Sequence, residues 1–440
     1  MKIGYKWLIL GLLFVTFFLE LGTRQIYSAV LPQLKADFAA QGVTDVGFGA
    51  VGSVFGAVFG LMLLASGLCA DFFGRKKTIV VGTALFSSAI FGCGFAQGIG
   101  LFFVLYGVLN AIGQCCIAPA SYSLISQYHD NSSRSTAMAI FQSASYAGIV
   151  ICSWVSGLLT DSGAGGWRRG FWSFGALGLV WAALMHWRMR DTAQPVAADD
   201  ARPTVKAAFA ALITKPTAVL IALAFGMYMY AALGLRLWAT AFIVREFPGS
   251  GTGSAAFHSL FWLMLGSFFG LFATARVLDR VGSRRPSIRL DVSALGFLAC
   301  VLPVLWVARS SSLVECCAAL TTLGFALGIY EAAHYPAMFD CIEPRYRSAT
   351  TGMTGCLAFL MGSVGPFALG LVGERLSMRA AIASLAVFFL AGALTLLPAK
   401  IWFFKRDYIE GRVIPNAPIL RHSKIMAGGV LEFHLTGEHR

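Results

Sequence analysis

The stretch Gly67-Leu-Cys-Ala-Asp71-Phe-Phe-Gly74-Arg75-Lys76-Lys77 is a short charged turn between two long apolar runs. A weaker copy, Asp279-Arg-Val-Gly282-Ser-Arg284-Arg285, follows 208 residues later, counted from Asp71 to Asp279. A second pair of matches, Arg134-Ser135 and Arg347-Ser348, has an offset of 213 residues, from 134 to 347. Because two independent matches share nearly one offset, we predict that the chain consists of two duplicated halves.

The composition indicates a membrane protein. Of 440 residues, 57% are hydrophobic and only 12% are charged, and the mean hydropathy is +0.72. The apolar residues form about twelve runs of roughly 20 residues, the length that crosses a bilayer as a helix. Together with the duplication, this predicts an all-α membrane protein with twelve transmembrane helices in two pseudo-symmetric six-helix bundles.

Changes in composition divide the chain into four parts. Charged residues, alanine and proline replace the apolar runs from Arg188 to Pro216, near the middle of the chain. We predict an N-terminal bundle over 1–187, a linker over 188–216, a C-terminal bundle over 217–404 and a tail over 405–440. The first span is predicted from Trp7 to Leu31, with Pro32 expected to end it.

The positive charges indicate topology. Lys and Arg concentrate in alternate loops, which by the positive-inside rule places both termini, the linker and the tail in the cytoplasm. The net charge of +13 does not indicate a nucleic-acid partner, because the basic residues lie between apolar runs and form no single basic face. We expect a monomeric, multi-pass protein of a bacterial inner membrane, in contact with membrane lipid.

The sequence contains no motif for a cofactor, a metal or catalysis. Most of the ten cysteines lie inside apolar runs, without CxxC pairs or His/Cys clusters at metal-ligand spacing. It also has no nucleotide-binding glycine loop after a strand, no catalytic triad and no HExxH. We therefore expect no cofactor, no metal and no enzymatic activity.

Glu20 and Arg24 place two charges one helical turn apart inside the first apolar run. A charged residue in such a run costs about 2.5–3.5 kcal/mol on insertion scales, so its presence indicates a function. One interpretation is that Arg24 contacts a substrate. The other is that the two side chains, at i and i+4 on one helix face, only neutralise each other.

The charged turn at 67–77 resembles the loop signature G-x-L-A-D-x-x-G-R-K-K of the major facilitator superfamily of secondary transporters. This resemblance covers residues 1–404 and implies two bundles that rock about a midplane site for a small-molecule substrate. It also implies that the turn and its copy act as a conformational gate, although the basic residues have a second interpretation as topology signals. The gate residues are Gly67, Asp71, Gly74, Arg75, Lys76, Asp279, Gly282 and Arg284.

Within that superfamily, the sequence is more similar to organic-anion carriers than to drug:proton antiporters. The segment 107–114 lacks the antiporter arginine, whereas Arg24 precedes Pro32 by eight residues, as in anion:cation symporters and organophosphate permeases. Two positions depart from those carriers. Ala232 lies at the repeat-equivalent of Arg24, with Arg236 one turn further, and Gln114 replaces a common glutamate. The asymmetry predicts Arg24 as the principal anion contact and Arg236 as a second.

Other polar residues in apolar runs complete the predicted site. Gln114 has two interpretations, as a substrate ligand or as a bond between helices, and Arg236 either binds the anion or snorkels to a membrane face. His334 either assists proton transfer or is structural. The predicted substrate-binding residues are Arg24, Tyr27, Gln114, Gln142, Tyr146, Arg236 and Glu331, and the predicted proton-coupling residues are Glu20, Glu331 and His334.

These residues predict a secondary active transporter for a small organic anion, such as a sugar acid, a carboxylate or a sugar phosphate. A proton or a counter-anion would be the coupling partner. One alternative is a carrier of neutral or lipid-like solutes, because stretches of spans four and eleven resemble the spinster branch. A second alternative, from another functional class, is a membrane sensor that does not transport.

Overall fold

The computed structural model describes residues 3–129, 133–190, 205–281, 287–343 and 346–409. Within these ranges the chain forms helices and turns without strands. Six long helices precede a short linker helix, Val205–Ile213, and six follow it. Their bounds are α1 Ile3–Phe38, α2 Asp45–Phe73, α3 Arg75–Cys93, α4 Ile99–Tyr128, α5 Arg134–Asp161, α6 Gly166–Arg188, α7 Pro216–Glu246, α8 Thr252–Val281, α9 Ile288–Arg309, α10 Leu313–Phe339, α11 Arg347–Gly362 continued as Val364–Arg375, and α12 Met378–Asp407.

Ten of the twelve long helices in the described ranges are long and apolar enough to cross a membrane. The other two, α3 and α6, carry basic residues in their first turns, Arg75 to Lys77 and Arg168 with Arg169. The predicted all-α, twelve-helix membrane fold is therefore confirmed. The predicted boundaries between the four parts stay predictions, and most of the linker (191–204) and tail (410–440) lies outside the described residues.

The most extensive contacts between the two halves in the described residues are those of α1 with α7, α2 with α11 and α5 with α8. Glycines on α2 allow close approach to α11, which a membrane helix interface achieves by small residues. A Cβ atom at Gly49 would come within 2.5 Å of the Pro366 carbonyl oxygen, and one at Gly60 within 2.8 Å of Phe359 Cβ. This interface therefore depends on the absence of side chains at both glycines.

The prediction that Pro32 ends the first span is wrong, because α1 continues through this proline to Phe38. Proline removes one backbone donor, but neighbouring helices compensate for such a loss inside membrane proteins. Here the next turn is anchored from its side: Gln33 Nε2 donates hydrogen bonds to the carbonyl oxygens of Thr160 and Gly163, 3.2 and 3.1 Å away. Contacts with α5 and the following loop therefore hold the helix beyond the proline.

Candidate functional site

A cavity of about 540 Å³ lies between the two halves. α1 and α5 line it from the first half, and α7, α8 and α10 line it from the second. The ends of α10 and α12 that lie nearest the linker helix adjoin one another, because Ile409 N donates to Asp340 O at 2.9 Å. The lining segments of α5 and α10 lie toward that end of the molecule, so the cavity is displaced toward the side of the linker.

Arg236 on α7 is the arginine that lines this cavity. Its side chain is partly buried, and no carboxylate of the described residues forms an ion pair with its guanidinium. The position follows from the sequence of α7, where Tyr228, Ala232 and Arg236 repeat every four residues and share one helix face. An unpaired guanidinium presents five donors in a planar fork, which suits a carboxylate, sulfonate or phosphate group.

Glu331 on α10 lines the same cavity and is held by neutral donors. Tyr228 donates from its hydroxyl to Oε1, and Ser267 Oγ donates to Oε2 at 2.9 Å. Neither donor carries a charge, and Glu331 forms no ion pair with Arg236 or another cation in the described part of the chain. The cavity therefore contains one cationic and one acidic side chain that do not neutralise each other by direct contact.

Arg24 and Glu20 form an ion pair inside the first half. Arg24 Nη2 lies 3.2 Å from Glu20 Oε1, and the side chains are 13% and 2% exposed. Arg24 Nε also donates to Gln114 Oε1 at 3.0 Å, and its guanidinium lies over the Phe59 ring, 4.5 Å from the centroid. Much of the hydrogen-bonding capacity of Arg24 is therefore satisfied within its own half.

Gln114 connects α4 to α1. Its Nε2 donates to Asn110 Oδ1 at 2.9 Å and to Glu20 O at 3.2 Å, and its side chain is fully buried. A π-helical segment, Phe103–Asn110, ends one turn before it in α4. Such segments rotate the following residues relative to a regular α-helix and are frequent at functional sites. The buried contacts of Gln114 fit the interpretation as a bond between helices.

A second cavity, of about 40 Å³, adjoins Arg24. Arg24, Tyr27 and Arg236 all line it, so Arg236 borders both cavities. Tyr27 is buried, and its hydroxyl donates to Phe48 O at 2.7 Å, which fixes the ring against α2. The small cavity therefore separates the paired arginine of the first half from the unpaired arginine of the second.

The remaining predicted ligands lie around the large cavity. Gln142 accepts a hydrogen bond from the Tyr122 hydroxyl at 2.7 Å, and Tyr146 stacks edge-on against Phe268 with ring centroids 6.0 Å apart. His334 stacks on Tyr330 with an interplanar angle of 11°, and its Nε2 is buried without a hydrogen-bond partner in the described structure. The structure thus brings Gln142, Tyr146, Arg236, Glu331 and His334 to one cavity.

Two acidic residues join the halves on the side away from the linker helix. Arg245 Nη2 on α7 pairs with Asp45 Oδ2 on α2 at 2.8 Å, and Lys35 pairs with Asp45 within the first half. Asp161 at the end of α5 accepts hydrogen bonds from the backbone nitrogens of Thr252 and Gly253 at 2.9 and 2.8 Å. These carboxylates close the end of the molecule opposite the large cavity.

The predicted gate residues are only partly described. Gly74 has φ +84° and separates α2 from α3, a conformation that favours glycine. Arg75 and Lys76 are partly buried in the first turn of α3. The other predicted gate residues lie outside those whose side chains the structure describes: Gly67, Asp71, Asp279, Gly282 and Arg284.

Sequence reasoning missed several residues that shape the site. The spacing of the sequence could have predicted Tyr228, because this residue lies two four-residue steps before Arg236 on the same face of α7. No sequence pattern predicts Ser267, since a single serine in an apolar helix is common as a packing residue. Asp45 and Asp161 lie at helix ends, and only the juxtaposition of the two halves shows that they bridge them.

Comparisons with known proteins agree with this architecture. The family model described as Major Facilitator Superfamily matches residues 13–366. The chain is 24% identical over 406 residues to "Probable anion transporter 4, chloroplastic" of Oryza sativa subsp. japonica, covering 88% of this chain and 67% of the relative. It is 25% identical over 393 residues to "Probable sulfoacetate transporter SauU" of Cupriavidus necator, covering 85% of this chain and 89% of the relative.

A solved structure shares the fold. It is the crystal structure of a bacterial homologue of the human lysosomal transporter Spinster, in an inward-facing and unoccupied conformation. The TM-score is 0.81 at 18% identity, with 93% of this chain and 100% of the other chain covered. These relatives and this structure are transporters rather than enzymes, and the family match spans most of the twelve helices. The chain belongs to the Major Facilitator Superfamily.

Proposed function

We propose that this protein is a secondary active transporter that moves a small organic anion across a membrane by alternating access. The observation that carries the proposal is the guanidinium of Arg236, which borders the central cavity without a carboxylate partner among the described residues. An unpaired charge within a membrane span is costly even when it is partly buried, and an anionic substrate would compensate it. Relatives whose names denote transport of anions and of sulfoacetate support the same substrate class.

Arg236 is proposed as the principal anion contact, and Arg24 as the second. This order reverses the ranking from the sequence, because Glu20 and Gln114 already occupy Arg24. Substrate entering the large cavity meets Arg236 first, with Gln142 and Tyr146 supplying hydrogen bonds from the other half. Tyr27 would contribute its ring to the wall of the small cavity, since its hydroxyl already donates to the Phe48 carbonyl oxygen.

Glu331 is proposed as the proton carrier of a proton-coupled cycle. Its partners Tyr228 and Ser267 are neutral, so protonation does not break an ion pair. His334 stacks beside it and keeps a nitrogen free of hydrogen bonds within the described residues. Glu20 is the acid of the first half, and its Oε2 is likewise buried without a described partner. Exchange for a counter-anion is the other coupling mode that an unpaired Arg236 allows.

The contacts between the halves at one end of the molecule, and the cavity toward the other end, indicate which contacts change during the transport cycle. In the described state, Asp45 and Asp161 join the halves on one side, and the cavity lies toward the other. Alternating access requires these contacts to break while contacts near the linker form, with the 67–77 turn and its copy at 279–285 as the gate. With both termini in the cytoplasm of a bacterium, the described state opens inward.

The proposal is tested by transport in proteoliposomes. Purified protein is first screened by thermal shift against sugar acids, dicarboxylates, sugar phosphates and sulfoacetate, because a bound ligand stabilises by RT ln(1 + [L]/Kd). Uptake of the stabilising anion is then compared between the wild type, Arg236→Ala and Arg309→Ala, an exposed arginine outside the cavity. We expect uptake to be lost only in Arg236→Ala. If Arg236→Ala takes up the anion as well as Arg309→Ala does, or if none of these anions stabilises the protein, the proposal is contradicted.

A neutral-solute carrier and a non-transporting sensor are the competing functions. Neither explains why the central cavity would retain an arginine without an acidic partner. The thermal-shift screen separates them, because a neutral-solute carrier would respond to uncharged analogues of the same size.

A further inference from the structure

An apolar cleft of about 330 Å³ lies between α5 and α8. Its lining residues are near the middle of both helices, the depth at which a transmembrane helix crosses the hydrocarbon core. The side chains that surround it are aliphatic or aromatic, and none of the described ones is charged. They include Ala147, Val150 and Ile151 on α5 and Phe261 and Leu265 on α8.

The cleft adjoins the central cavity. Tyr146, Met264 and Phe268 line both spaces, so three side chains form their common boundary. The rings of Tyr146 and Phe268 meet edge-on across the α5–α8 interface, 6.0 Å apart at their centroids. A chain that reaches the cleft from the cavity therefore separates these two rings, and it meets no charged side chain among the described residues that line the cleft.

We infer that the cleft binds a hydrocarbon chain of the transported anion, so that the substrate is an amphiphile with an acidic head. The inference rests on the proposed function, because it places the acidic head at Arg236. The distribution of charged and apolar side chains in the cavity supports the same placement of head and chain. Its charged residues Arg236 and Glu331 lie on α7 and α10, whereas Ile149, Met264 and Phe268 line it beside the cleft.

The position of the cleft ties chain binding to the transport cycle. α5 belongs to the first half and α8 to the second, and they contact each other along the interface between the halves. When the halves rock, the cleft must change shape, whereas a groove within one half would not. A chain that fills it therefore stabilises one conformation over the other, by as much as its differential affinity for the two.

A series of linear alkanesulfonates with four, six, eight and ten carbons tests the inference. Dissociation constants are measured with the full chain in lipid nanodiscs, corrected for partitioning with empty nanodiscs. We expect about fourfold tighter binding per added methylene, the ratio that corresponds to ~0.8 kcal/mol per buried CH₂, until the cleft is filled. Octyltrimethylammonium, which has the same chain length but a cationic head, is expected not to compete.

Two variants fill the cleft and one serves as the matched control. Ala147→Phe and Val150→Phe each place a ring in the cleft and are expected to weaken decanesulfonate binding at least tenfold while leaving butanesulfonate binding unchanged. Val81→Phe adds the same ring at an exposed site on α3 and is expected to change neither. Two positions are substituted so that the test still gives a result if one variant fails to fold.

The outcomes separate the inference from the proposed function. If butanesulfonate binds and longer chains bind no tighter, the inference is wrong and the anion site stands. If the gain with chain length survives both cleft variants and Arg236→Gln, the chains bind as lipid at the protein surface, which also overturns the inference. If none of the sulfonates and none of the screened small anions bind, both proposals are wrong.

Discussion

Arg24 and Arg236 line the same small cavity from opposite halves of the molecule, but only Arg24 has a carboxylate partner among the described residues. Glu20 pairs with Arg24 at 3.2 Å, and Gln114 holds its Nε at 3.0 Å. Arg236 instead lines the large cavity, and Ser28 of α1 donates to its backbone carbonyl oxygen, at 2.6 Å, rather than contacting its guanidinium. The two arginines therefore differ in the role that they can take toward an anion.

The pairing of Arg24 predicts a specific pattern of stability. Arg24→Ala leaves the carboxylate of Glu20 buried without its cation, and removal of one partner of a buried pair costs about 3–5 kcal/mol. We expect a lower thermal unfolding midpoint for Arg24→Ala and partial recovery in Arg24→Ala/Glu20→Gln, which removes both charges. Arg309→Ala is the control. A double variant as unstable as the single one would show that the pair does not contribute in this way.

The neutral partners of Glu331 predict the effect of removing its charge. Glu331→Gln keeps an acceptor for Tyr228 and Ser267 but cannot release a proton, so we expect pH-driven accumulation to be lost while counterflow exchange continues. Both are measured in proteoliposomes with an imposed pH gradient. Glu315→Gln, at the other end of α10, is the matched control and is expected to transport normally. Accumulation that persists in Glu331→Gln would place the proton carrier elsewhere, with Glu20 as the next position.

The ion pair between Asp45 and Arg245 predicts a shift in conformation when it is broken. Arg245→Ala removes an interaction at 2.8 Å that joins the halves on the closed side, so the open population of that side should rise. Spin labels at positions 169 and 375, on opposite halves at that end, report the separation in a cysteine-free background. We expect a longer distance component in Arg245→Ala and none in Arg309→Ala. An unchanged distance distribution would show that Asp45 does not hold this side closed.

The sequence predicted the features that arise from local patterns. Apolar run length identified the spans, and the charges of Arg236 and Glu331 inside apolar runs identified both as candidate site residues, which line the cavity. The repeated turn indicated two halves, and the alternation of basic loops predicted the orientation of the termini. Each of these signals can be read along the chain without knowledge of which helices become neighbours.

Other features depended on packing between distant segments. The hydrogen bond from Arg24 to Gln114 requires α4 to lie against α1, with a π-helical segment before the glutamine. Residue spacing predicts neither the helix contact nor the π-helical segment. Pro32 was expected to end a helix because a single helix loses a bond there, whereas contacts with α5 hold the chain beyond it. Interactions of this kind depend on which helices become neighbours.

The central claim is that Arg236 is the principal anion contact. Its most direct test is equilibrium binding of the stabilising anion to Arg24→Gln and Arg236→Gln, two matched substitutions measured in the same nanodiscs. Loss of charge-assisted hydrogen bonds at Arg236 should weaken binding by ~10- to 150-fold, and the same change at Arg24 should weaken it less. Binding that is lost in Arg24→Gln and retained in Arg236→Gln would contradict the account.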